Sequence, residues 1–173
     1  MNIFLCGLPT VGKTRFGQVL AQYLSFPFFD TDDLILHSYG ENQYPSIKKI
    51  FQAVGEKTFS SWEIAILRSL SMDKSVVSLG GGTLLHQEAV SLIKNKGTLV
   101  LLSLPLPRIC ERLKHRGVPE RLKSSQDLMH TLQERIDFMH RVVDYQFPMA
   151  EVDLSKETSL FSACKSFLKL LNL

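Results

Sequence analysis

The chain has 173 residues, 45% hydrophobic and 21% charged, a balance that supports one folded domain with a buried core and excludes global disorder. Its formal charge of +3 is too small a basic excess for a nucleic-acid partner. No apolar run approaches the roughly 20 residues that cross a bilayer, so no membrane partner is expected. The opening apolar run stops at Gly7, too short for a secretory segment, and Cys6, Cys110 and Cys164 are an odd, widely spaced set that reads as free thiols. These features predict a cytoplasmic protein.

Residues 3–6 are continuously apolar, as in a parallel strand covered on both faces. Phe16, Val19, Leu20, Tyr23 and Leu24 follow helical spacing, and residues 27–29 predict a second short strand. Residues 33–39 and 46–54 predict short helices, the latter closed by Gly55 as a C-terminal cap. Phe59, Trp62, Ile66 and Leu70 mark a longer helix ending near Met72. Residues 75–79 and 98–104 predict strands, with a helix over 86–95 between them. Leu128, Leu132, Ile136, Met139 and Val143 stripe a helix over 126–144. A brief strand at 150–152 and a closing helix at 158–171 complete the pattern. Such alternation predicts an α/β fold, with a parallel sheet flanked by helices on both faces.

Between the first strand and first helix, Gly7-Leu8-Pro9-Thr10-Val11-Gly12-Lys13-Thr14 fits the phosphate-binding pattern G-x-x-x-x-G-K-[ST]. Its backbone amides can wrap a phosphate, Lys13 can reach the terminal phosphates, and the Thr14 hydroxyl can ligate Mg²⁺. No Asn-Lys-x-Asp reads guanine, and no apolar strand ends in a clean aspartate to hold a metal. Both points favour the small-metabolite kinases over GTPases.

Two more clusters carry chemistry. Asp30-Thr31-Asp32 ends a strand, where α/β sheets bind ligands. One acid could sit by the metal's water shell and the other accept a hydroxyl proton, or Asp30 or Thr31 could simply cap a helix. Ser78-Leu79-Gly80-Gly81-Gly82 ends another strand with bare amides that a small polar ligand can approach closely, or else forms a flexible turn.

The phosphate loop, Asp30-Thr31-Asp32, Gly55-Glu56-Lys57-Thr58-Phe59 and Ser78-Leu79-Gly80-Gly81-Gly82, in this order across nearly the whole chain, resemble the shikimate kinase family. The resemblance implies the P-loop kinase fold with a five-stranded parallel sheet, one domain over 1–173, substrate-binding helices within 31–72 and a mobile lid at 114–125. It implies a monomer that uses ATP and Mg²⁺ to phosphorylate the 3-hydroxyl of shikimate, giving shikimate 3-phosphate and ADP on the route to chorismate and the aromatic amino acids. The implied catalytic residues are Lys13, Asp32 and Arg121. ATP would contact Gly7, Thr10, Val11, Gly12, Lys13, Thr14, Arg15, Arg112 and Arg121, with Arg112 packed on adenine and Arg121 on the phosphates. Shikimate would contact Asp32, Gly80, Gly81, Gly82 and Arg135, and the metal would lie at Thr14 and Asp30. Read without the family, Arg135 is a rim arginine with its stem buried.

Three positions depart from the family. Thr10 replaces a glycine, which implies an unstrained φ there. Ser60 replaces an arginine that binds the substrate carboxylate; Glu63 then lacks its partner unless Lys57 or Arg68 substitutes, which predicts weaker shikimate binding and a tighter Michaelis constant for Ser60→Arg. Leu122 replaces a proline after Arg121, leaving Arg116 as the alternative lid arginine, and Arg121→Ala is expected to lower turnover more than substrate binding. A gluconate- or nucleoside-type kinase and a nucleotide-binding regulator without turnover are the competing readings; the five histidines have no assigned role.

Overall fold

The computed structural model describes residues 1–40, 43–71, 73–123 and 127–173. Five strands form one parallel sheet: β1 (Asn2–Cys6), β2 (Phe28–Asp30), β3 (Val76–Ser78), β4 (Gly97–Ser103) and β5 (Tyr145–Pro148), in the order β2-β3-β1-β4-β5. Strands β2 and β3 lie to one side of β1 and β4 and β5 to the other, so the crevice at the carboxyl end of β1 is the topological switch point, the usual ligand site of such sheets. All five residues of β1 are buried, as its unbroken apolar run requires.

Helix α1 (Lys13–Leu24) starts at that crevice. Phe16 in its first turn stacks on Phe147 of β5 at 5.6 Å and meets Phe167 edge-on at 5.4 Å. Phe167 belongs to the closing helix α8 (Glu157–Leu170), so this trio fixes where α1 begins relative to the sheet. A second, smaller core of Ile35, Ile50, Phe59 and Ile66 joins α2 (Thr31–Ile35) to α3 (Ile47–Ser69), with Tyr39 and Trp62 stacked 4.4 Å apart beside it. That satellite core holds one wall of the site away from the sheet.

The helices predicted over 86–95, 126–144 and 158–171 are α4 (Gln87–Lys96), α7 (Leu128–Val142) and α8. Other expectations need correction. Gly55 is no such case: its φ of 73° and ψ of 174° are non-helical, so α3 is two helical runs that meet at a kink there, the first closed by Gly55 as expected. Met72, the expected end of that helix, and residues 124–126, which close the expected lid and open the 126–144 helix, lie outside the described residues.

Residues 33–39 divide into α2, which starts at Thr31 because the Asp30 carboxylate accepts the Asp32 N–H, and one π-helical turn, Leu36–Gly40. The strand expected at 150–152 is a turn. The edge strand is instead β5, whose Tyr-Gln-Phe-Pro alternates in burial and ends at a proline, a pattern with no apolar run to betray it. Helix α5 (Leu106–Arg116) was not anticipated either; its buried stripe is only Ile109 and Leu113 among six charged or histidine side chains. A short helix, α6 (Glu120–Lys123), follows it. Among the described residues, no helix is long and apolar enough to cross a membrane.

Candidate active site

The nucleotide side grows from one contiguous stretch. Lys13 folds back over the phosphate loop, donating to the carbonyls of Gly7 at 2.9 Å and Leu8 at 3.3 Å. Burial holds its pKa below the ordinary lysine value, against the pull of Asp32, Cys6 and Asp30. Burial likewise pushes the Cys6 thiol up to about 12, with no reactive thiolate at neutral pH. Gly12 precedes α1, the Val11 side chain is buried in the core, and exposed Arg15 borders the nucleotide cavity, which has a volume of about 640 Å³.

Thr10 overturns its expectation. Its φ is 68°, in the left-handed region that costs a side-chain-bearing residue roughly 1–2 kcal/mol. Its hydroxyl is buried with no partner among the described residues, while its carbonyl accepts from Arg112 Nη1 at 2.8 Å. Arg112 thus ties α5 to the loop, at the wall of the same cavity.

The acid side is assembled from distant segments. The Thr14 hydroxyl donates to Asp30 Oδ2 at 2.8 Å while Asp30 Oδ1 caps α2 at 3.0 Å, so the capping reading of Asp30 holds and its second oxygen stays beside the phosphate loop. This pairing of a hydroxyl and a carboxylate at a phosphate loop suits Mg²⁺, a hard cation that takes oxygen ligands and leans on nucleotide phosphates and water for the rest. The Thr31 hydroxyl accepts from the Gly80 amide at 2.9 Å, fastening the end of β3 to the start of α2. A Cβ on Gly80 would lie 2.7 Å from Asp32 Oδ1, so only glycine lets the backbone come this close.

Asp32 is pushed up to about 7. Burial is the main cause, repulsion from Asp30 and Glu63 adds to it, and Lys13 and Arg121 offset part. A carboxylate tuned close to neutrality suits a group that accepts a proton in a reaction near pH 7.

Arg121, expected on the phosphates, is held by acidic partners on α3. Its guanidinium lies 2.8 Å from Glu63 and 2.7 Å from Glu56, donates to Ser60 Oγ at 3.2 Å, and stands over the rings of Phe51 and Phe59. A Cβ on Gly82 would fall 2.2 Å from its Nη1, so the third glycine of the triplet makes room for it. Lys57 is exposed and Arg68 pairs with Glu88, so neither fills the place left by Ser60. Glu56, Ser60 and Glu63 recur at i, i+4 and i+7 on α3, a spacing that could have flagged a face in need of a cation; sequence reasoning sought that cation on the same helix, and it comes from α6. Arg135 on α7 is buried against this group and donates to the Arg121 carbonyl at 3.4 Å.

A cavity of about 490 Å³ collects Lys13, Asp32, Gly80, Arg116, Arg121 and Arg135. Lys13, Thr14 and Arg116 also line the nucleotide cavity, so the two meet where a terminal phosphate would lie. The family model for shikimate kinase matches residues 9–168. The chain belongs to the shikimate kinase family. It is 45% identical to a shikimate kinase of Chlamydia pneumoniae over 99% of both chains, and 40% identical to one of Chlamydia muridarum over 96% of this chain and 89% of that one. The crystal structure of shikimate kinase from Aquifex aeolicus is 30% identical, with a TM-score of 0.78 over 99% of this chain and 96% of that one. Like the rest of the shikimate kinase family, the chain is an ATP-dependent small-molecule kinase on the P-loop kinase fold. Within that family its seat for Arg121 on Ser60 and Glu63 is a feature of the tertiary fold, since the two partners are 58 residues apart.

Proposed function

We propose that this chain transfers the γ-phosphoryl group of Mg²⁺-ATP to the 3-hydroxyl of shikimate, giving shikimate 3-phosphate and ADP. The observation that carries this reading is Asp32: a carboxylate raised to about 7, at the glycine end of β3, in the same cavity as the phosphate-loop lysine. The cavity is wide enough for one ring acid, and the family assignment names that acid.

In this reading Lys13 leaves the Gly7 and Leu8 carbonyls for the β- and γ-phosphates, while the loop amides from Gly7 to Thr14 hold the phosphate chain. Arg112 and Arg15 border the nucleotide; Arg116, at the junction of the two cavities, is the arginine placed for the transferring phosphoryl group. Bound Mg²⁺, held by Thr14 with Asp30 behind it, would neutralise charge on the phosphates. Asp32 orients the acceptor hydroxyl and takes its proton. A loose transition state needs little deprotonation early, so a base near 7 suffices. Gly80, Gly81 and Gly82 floor the ring site, and the carboxylate lies toward Arg135.

The reading takes the enzyme to work as a cytoplasmic monomer, as the resemblance to the family implies. The deciding experiment is a coupled ADP-release assay across shikimate, gluconate and nucleosides. Release that depends on shikimate alone is expected; release with gluconate or a nucleoside instead, or ATP binding without acceptor-dependent turnover, would replace this reading.

A further inference from the structure

On α3, Glu56, Ser60 and Glu63 share one face. Glu63 is only 1% exposed, and a carboxylate so buried needs both a cation and hydrogen bonds. Thr83 supplies one bond at 2.6 Å; α3 supplies no cation, because Ser60 offers only a hydroxyl, donated to Glu56 at 3.0 Å. Arg121 enters from α6, with Nε 2.9 Å from both Glu56 oxygens and Nη2 2.8 Å from Glu63 Oε2. Burial opposes its charge, but the bonds to Glu56 and Glu63 outweigh that and raise its pKa. The guanidinium touches Ser60 Oγ at 3.2 Å, so a long side chain at position 60 would claim the same space.

The grip is incomplete without a ligand. Nη1 of Arg121 makes one contact of 3.3 Å with Glu63, which leaves an N–H on the atom that faces Gly82 and the glycine floor. Arg135 is 8% exposed, and among the described residues no carboxylate pairs with it. Burial, then the charge of Arg121, depress its pKa, partly offset by the charge of Glu56. Two guanidinium groups therefore line one cavity, one of them without an ion-pair partner among the described residues, and a single carboxylate between them would relieve both.

We infer that Arg121 and Arg135 together hold the substrate carboxylate, that Ser60 is the specificity-determining residue whose small size admits Arg121, and that Glu56 and Glu63 are positioning residues for its guanidinium. This rests on the acceptor being a hydroxy acid, as proposed above. Acid recognition then resides on α6 and α7 rather than on α3 alone.

The test is calorimetric titration with shikimate and with its carboxamide, which keeps the ring and hydroxyls and lacks the charge. The parent is expected to prefer the acid. Arg121→Ala should weaken shikimate roughly 10- to 100-fold, weaken the carboxamide little, and leave Mg²⁺-ATP affinity unchanged. Arg121→Lys keeps a cation on Glu63 for folding and should lose part of the preference. Ser60→Arg alone should not tighten shikimate, whereas Ser60→Arg with Arg121→Ala should restore most of the loss, since it moves the guanidinium across the same seat.

Equal loss of both ligands in folded Arg121→Ala, a parent indifferent to the charge, or a double variant no better than Arg121→Ala would each overturn the assignment. A parent that prefers the acid yet never phosphorylates it would sink the proposed function and leave this grip standing. Normal phosphorylation with shikimate affinity unaltered in Arg121→Ala would do the reverse.

Discussion

The two ends of the cavity are built in opposite ways. The phosphate end is built on one run of nine residues, Gly7 to Arg15, whose backbone amides and one lysine do most of the work, with Arg112 and Arg116 added from α5. The acid end draws Asp32 from the first turn of α2, Glu56 and Glu63 from α3, Gly80 from the loop after β3, and Arg121 and Arg135 from α6 and α7. A backbone cradle depends on local geometry and tolerates Thr10 where glycine would be easier. A side-chain cradle depends on tertiary packing, so a change at position 60 can be answered from a helix 61 residues away.

Removing the group that touches both ends gives the largest effect. Asp32→Asn should lower turnover on the order of 10²- to 10⁴-fold, measured as shikimate-dependent ADP release. The same change should stabilise the unliganded fold. With Asp32 raised from 3.8 to about 7, the folded chain keeps a proton that the unfolded chain has released, so stability falls as pH climbs through that window. The gain from asparagine is therefore partial at pH 5 and full at pH 8, a difference that thermal melts at the two values will read. A gain that shrinks with rising pH would contradict the assigned burial.

In the parent, kcat/KM for shikimate should fall on the acid side with a midpoint near 7, about tenfold per pH unit below it, as the base of the free enzyme is protonated. A profile flat down to pH 5 would make Asp32 an orienting group alone.

The division itself is sharpened by Arg116. Arg116→Ala should raise the Michaelis constant for ATP roughly tenfold, the scale of one charge-assisted contact, and leave that for shikimate alone, the mirror image of Arg121→Ala. If both variants moved the same constant, the two ends would not be separate.

The smallest effect concerns strain at the phosphate end. Thr10→Gly relieves a φ of 68° and a buried, unpartnered hydroxyl, partly offset by the greater freedom of glycine in the unfolded chain. A net stabilisation of about 1 kcal/mol in urea unfolding is expected. A loss of stability would mean that the threonine is held without strain.

The same contrast explains what could be read in advance. The phosphate loop, the Asp30–Asp32 pair and the glycine triplet lie at strand ends, where local pattern and site coincide, and the parallel sheet was legible from runs such as Ile3 to Cys6. Edge strand β5 was not, because Phe147 is its one buried side chain. Helix α5 was hidden by its density of charge. The seat of Arg121 was invisible for a different reason: Ser60 and Glu63 show only that a cation is missing, and nothing local in the chain says that α6 packs on α3. The left-handed φ of Thr10 was misjudged because a β-branched residue seldom adopts it.

The most direct test follows the phosphorus. With Mg²⁺-ATP and shikimate, ³¹P NMR should show one phosphate ester on the ring for each ADP formed, and Asp32→Asn should form almost none. ADP accumulating without the ester, or ester made at the parent rate by Asp32→Asn, would contradict transfer across this cavity.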